Sequence, residues 1–127
     1  MVILSFRREL QRHSRIVAVL LVLSILFGLF VLGAQPFAVG LVPVPWDKLA
    51  HGVVFAVLAA LLGQASGLRG WRMMLVAIAG ALLVGGLDEW HQVYLPGRQA
   101  GLDDLTADGI GGMIGAMVLS ARTRKND

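Results

Sequence analysis

Residues 49–87 read LAHGVVFAVLAALLGQASGLRGWRMMLVAIAGALLVGGL, two apolar runs parted by a short break at 66–70. Each run, 49–65 and 71–87, is long enough, if barely, for a hydrocarbon slab roughly 30 Å thick. So short a connection returns the chain beside itself, which makes the two helices antiparallel neighbours. The stretch therefore predicts a transmembrane hairpin.

Outward from the hairpin, further apolar runs lie at 16–33 and 105–121. The expected fold is all-α: a four-helix transmembrane bundle forming a single domain over 1–127. Composition agrees, with 57% of the 127 residues apolar and 15% charged, against about a quarter charged in ordinary soluble domains. Four spans use nearly the whole length and leave no room for a separate soluble catalytic domain. The pI of 10.2 does not point to nucleic acid, because the basic residues cluster beside apolar runs as membrane-flanking loops do. The absence of cysteine excludes disulfides, thiolate metal sites and a cysteine nucleophile.

Arg7, Arg8, Arg12 and Arg15 precede the first run, the arrangement of a secretory signal. Two features argue for a retained helix instead. The run exceeds the usual length of a signal core, and Leu32 stands where cleavage before Gly33-Ala34 wants a small residue. With four spans, Arg7, Arg8, Arg12, Arg15, Arg69, Arg72, Arg122, Arg124 and Lys125 share one side, against Lys48 and Arg98 on the other. The positive-inside rule then predicts a multi-pass membrane protein with both termini in the cytoplasm, N-in and C-in. Trp46, Trp71, Trp90 and Tyr94 fall at span ends, where amphipathic rings favour the headgroup layer.

Gly111 and Gly115 form a G-x-x-x-G pair with Ala107 one turn earlier. That small-residue face predicts close packing within the monomer in preference to the alternative, a homo-oligomer contact.

The acidic residues are not spread evenly. Asp47, Asp88, Glu89, Asp103, Asp104 and Asp108 all fall at the outer ends of spans two to four, joined by His51, His91, Gln92, Lys48 and Arg98. Only Glu9 and Asp127 are elsewhere. Residues four apart share a helix face, which pairs Asp47 with His51, Asp88 with Gln92 and Asp104 with Asp108. Packed together, so many carboxylates stay ionised only with a cationic partner. His with carboxylates suits zinc or manganese, and carboxylates alone suit magnesium or calcium, so the residue types leave a divalent cation open and unidentified. Capping competes as the plainer role for Asp47, Asp103 and Asp104. For His51, Asp88, Glu89 and Asp108, in or beside apolar segments, burial without purpose is costly and function is favoured. Arg98 is expected within about 4 Å of one of these carboxylates.

Asp47-Lys48-Leu49-Ala50-His51, Asp88-Glu89-Trp90-His91-Gln92, Pro96-Gly97-Arg98, and Asp104 followed by Asp108 before Gly111 together resemble the VanZ-like family over roughly residues 47–115. The resemblance implies a small multi-pass protein of the bacterial cytoplasmic (inner) membrane and cell envelope, associated by name with resistance to the glycopeptide teicoplanin and with no established reaction. The family usually has Asn where this chain has Asp108, which keeps an oxygen ligand and adds a charge. The expected function is an outer-face pocket that binds or processes the headgroup of a lipid-linked or other amphiphilic envelope substrate. Were it catalytic, His51, Asp88 and Glu89 would supply acid, base or ligand, and Lys48 with Arg98 an anion clamp; Asp47, Gln92, Asp104 and Asp108 complete the binding set. The alternative is a non-catalytic scaffold whose polar cluster is an ion-pair network. A transporter is disfavoured, since the span centres lack polar groups and helix breaks.

Overall fold

The computed structural model describes residues 1–126, and among them the chain is all-helical, with four long helices and no strand. Asp127, expected apart from the polar cluster, lies outside the described residues. The helices are α1 (Val2–Phe27), α2 (Trp46–Ser66), α3 (Gly70–Gln92) and α4 (Leu102–Lys125). Each begins before the apolar run that announced it, and α3 and α4 also continue well beyond theirs. Hydrophobicity marks only the part of a helix that suits lipid, whereas a helix continues until its backbone hydrogen bonds are interrupted. Thus α1 takes in the arginine-rich segment and leads into a π-helical turn at Gly28–Leu32. Likewise α3 runs past Leu87 through Asp88, Glu89 and His91 to Gln92, because polar side chains do not by themselves interrupt the backbone hydrogen bonds.

The ends follow local chemistry. Gly67 terminates α2 at φ 67°, a left-handed conformation that costs glycine little. Between α3 and α4 the Leu95-Pro96-Gly97-Arg98 segment closes with the Arg98 amide donating to the Leu95 carbonyl at 3.3 Å, Gly97 at φ 74°. This is the turn Pro-Gly predicts. Helix α4 carries Asp103 and Asp104 in its first turn and Arg122, Arg124 and Lys125 in its last, charges that complement its dipole at both ends.

Phe55, Leu58, Ala59, Ala77, Ala81 and Ala116 form the buried core where α2, α3 and α4 meet. The closest approach is α2 against α4. A Cβ at Gly111 would run into the backbone of Gly52, and one at Gly115 into that of Ala56. The G-x-x-x-G face is thus occupied by α2 of the same chain. Helix α1 is peripheral, packing mainly on α2 and burying only Ala18.

Three helical stretches, Val2–Leu32, Trp46–Ser66 and Gly70–Gln92, are long and apolar enough to cross a membrane. The fourth expected span is a helix but falls short of that apolarity among the described residues. The reason lies in how α4 distributes its side chains. Asp104, Asp108, Gly111, Gly112, Gly115 and Ala116 face inward, while Ile110, Met113, Ile114, Met117 and Val118 are exposed. Small and polar residues thus face inward and an apolar stripe outward, so the average over α4 understates how apolar its exposed face is.

Candidate functional site

The start of α2, the end of α3 and the start of α4 meet at one end of the bundle. Antiparallel crossings set this arrangement, and the α2–α4 glycine contacts hold the two helices close enough for side chains to pair across them. Two successive rungs result. Lys48 Nζ on α2 donates to Asp104 Oδ1 on α4, and one turn further His51 Nδ1 donates to Asp108 Oδ1 at 2.8 Å. On α2, Lys48 and His51, three apart, make these cross-helix bonds, while Asp47 shares their side and lines the same cleft. Asp47 stands 3.5 Å from Lys48, and it makes no capping bond to the α2 amides.

Helix α3 supplies the third wall. Gln92 Nε2 donates to Asp88 Oδ2 at 3.1 Å, the expected pairing four residues apart. Glu89, rotated about 100° from Asp88, accepts from the Gly101 amide at 2.9 Å. That bond ties the end of α3 to the start of α4. His51, Glu89 and Asp108 converge, each offering a ligand atom within 4.8 Å of the others. Asp88 is close enough to His51 and Asp108 to feel their charges.

Burial divides the set sharply. Asp108 is 0% exposed, Asp88 2%, Asp104 7%, Gln92 8% and Glu89 9%, whereas Asp103 is exposed and is the solvated charge of the plainer reading. Neither Asp103 nor Asp104 caps α4, whose N-cap position is Gly101 with no side-chain bond. An ionisable group so deeply enclosed persists only with a partner or a purpose.

Among the described residues, Arg98 does not pair with a carboxylate. Its Nη2 donates to the Gly33 carbonyl at 2.6 Å, 65 residues away in sequence, so it joins the far end of the first helical segment to the α3–α4 connection. The turn at Gly97 presents Arg98 toward the loop after α1, and the two buried carboxylates of α4, Asp104 and Asp108, already pair with α2.

A cleft of about 550 Å³ opens above these rungs. Its sides are the 38–44 loop and the 97–101 loop, and its polar lining includes Asp47, Lys48, His51, Gln92, Arg98 and Asp104. Glu89, Asp88 and Asp108 lie behind this lining. Three contributors were not legible in the sequence. Gly33 and Gly101 act through backbone groups, which carry no sequence signal. Gly85 leaves space that a Cβ would fill at 2.9 Å from Asp108 Oδ2; the Gly85-Gly86 pair near the end of a span was the available hint.

Among comparisons with known proteins, the family model described as VanZ/LLP1 matches residues 2–123. The match takes in the first helix as well as the polar end. No curated protein and no solved structure matches the chain.

Proposed function

The chain belongs to the VanZ-like family of membrane proteins, and from that premise we propose that it crosses the bacterial cytoplasmic membrane several times and binds the anionic headgroup of an envelope amphiphile at its polar end. The observation that carries this reading is the cleft. It is about 550 Å³, within the range of small-ligand sites, and it offers Lys48 and Arg98 beside buried acceptors. Trp46, Trp90 and Tyr94 are 62%, 63% and 71% exposed at this same end. Such rings favour the headgroup layer, so the cleft opens where a lipid-linked substrate presents its polar group. Lys48 and Arg98 are each anchored, to Asp104 and to the Gly33 carbonyl, and each keeps further N–H donors that suit phosphate or carboxylate.

A short-chain polyprenyl phosphate added to the protein in nanodiscs tests this. Saturable binding that weakens about tenfold or more in Lys48→Met supports it; equal affinity in Lys48→Met and wild type refutes it. A link to glycopeptide resistance adds that loss of the protein changes teicoplanin susceptibility, read as the minimal inhibitory concentration in deletion and complemented strains.

The scaffold reading has its own support, since Lys48–Asp104, His51–Asp108 and Asp88–Gln92 are already hydrogen-bonded to one another. It expects His51→Gln and Asp88→Asn to lower the stability of the bundle. The binding reading expects these two variants to keep the fold and lose ligand.

A further inference from the structure

Behind the cleft, three helices bring His51, Glu89 and Asp108 together, with one potential ligand atom from each inside 4.8 Å. The two carboxylates are only half satisfied. Asp108 Oδ1 accepts from His51 and Glu89 Oε2 from the Gly101 amide, but Asp108 Oδ2 and Glu89 Oε1 are buried without a hydrogen-bond partner. Asp108 is 0% exposed and Glu89 9%. A buried acceptor left unmatched costs roughly 1–3 kcal/mol, and more when charged.

The unmatched oxygen of Asp108 has a direction. It points at α3, where the absent side chain of Gly85 leaves it room, and Glu89 stands one turn further along that helix. No basic side chain comes to its aid. Lys48 is held by Asp104 and Asp47, and Arg98 by the Gly33 carbonyl. Asp88, the next carboxylate, has Gln92 as its donor.

We propose that His51, Glu89 and Asp108 form a binding site for a divalent transition-metal cation of the Zn²⁺ or Mn²⁺ class. One imidazole nitrogen with two carboxylates fits these borderline ions better than Mg²⁺ or Ca²⁺, which favour all-oxygen shells. Two positive charges balance two buried carboxylates. Two donor atoms bound side by side to one ion at about 2.1 Å stand roughly 3 Å apart, and His51 Nδ1 and Asp108 Oδ1 are at 2.8 Å. Loading releases the proton that bridges them. The Gly101 amide then acts as the outer bond that orients Glu89. The site shares His51 with the lining of the cleft, takes Glu89 and Asp108 from behind it, and is tested without an amphiphile.

The test uses the full chain, untagged, in mild detergent, stripped with EDTA and dialysed against Zn²⁺ or Mn²⁺, with Mg²⁺ in parallel. Elemental analysis is expected to find one Zn²⁺ or Mn²⁺ per chain, a raised thermal midpoint on loading, and no retained Mg²⁺. X-ray absorption of the zinc-loaded protein is expected to show one imidazole in a nitrogen/oxygen shell. Glu89→Gln and Asp108→Asn, checked for native helicity, are expected to weaken zinc binding at least 100-fold, while Asp103→Asn and Lys48→Met retain it. No stoichiometric ion on the wild type, a spectrum without imidazole, or unchanged affinity in folded Glu89→Gln overturns the proposal. Should Asp108→Asn fail to fold, the Glu89 variant and the wild-type spectrum decide. Loss of amphiphile binding in Lys48→Met with zinc retained separates the two sites.

Discussion

The two ends of the bundle handle charge in opposite ways. At one end Arg7, Arg8, Arg12, Arg15, Arg69, Arg72, Arg122, Arg124 and Lys125 are all exposed, spread around a broad hollow of about 1310 Å³ that Arg7, Arg8, Arg12, Arg15, Arg69 and Arg122 line. Arg15 reaches the Ala65 carbonyl at 3.3 Å and Arg72 lies 5.6 Å from the Trp71 ring centre. At the other end Asp88, Glu89, Asp104 and Asp108 are buried and bonded one by one to named partners. An exposed cation is satisfied by water or headgroups wherever it stands, so its position is weakly constrained. A buried carboxylate is satisfied only by a group at a particular distance and angle. The basic end is therefore a property of composition, and the acidic end a property of geometry.

The largest test of this contrast is all-or-none. If the basic end faces the cytoplasm, periplasm-active reporters fused at Gly40 and Gly97 are active and one fused at the C-terminus is not. Cytoplasmic activity at either glycine breaks the assignment of ends to sides. Next in size is Asp108→Ala, which strips His51 of its buried partner and is expected to cost about 3–5 kcal/mol, read from reversible denaturation in detergent. A loss below about 1 kcal/mol would mean the acidic end is no more constrained than the basic one. Lys48→Met removes a cation whose side chain is 37% exposed, so solvent screening trims the expected loss to about 1–2 kcal/mol. At the far end, Arg12→Gln is expected to change stability by no more than about 0.5 kcal/mol. A larger effect there would show that the arginines pair as tightly as the acids do.

How far the sequence could be read follows the same division. The hairpin of 49–87, the two flanking helices, the Pro-Gly turn and the gathering of acids at one end were all legible, because each rests on local pattern. Helix ends were less so: residues 88–92 lie beyond the apolar run 71–87 and yet belong to α3, since a change to polar side chains ends a hydrophobic stretch without ending a helix. The fourth run illustrates a subtler limit. Its inward face is glycine and aspartate, so its average composition understates how apolar its outward face is. Within the site, Asp88 with Gln92 followed from helical spacing alone, whereas spacing could place Asp47 and His51 on one side of α2 but could not say that His51 bonds Asp108 on another helix.

The sequence by itself determined that this chain is helical, where its apolar stretches lie, and which helix ends carry acid and which carry arginine. These depend on residues within a few turns of one another, over which helical period and hydrophobicity act directly. Only the tertiary structure decided who pairs with whom. His51 meets Asp108 across 57 residues and Arg98 meets Gly33 across 65, and both partnerships depend on the rotation and approach of whole helices. The rotation is set where Gly111 and Gly115 rest on the backbone of Gly52 and Ala56, a contact in which missing side chains, silent as chemistry, bring two acids of α4 within reach of α2.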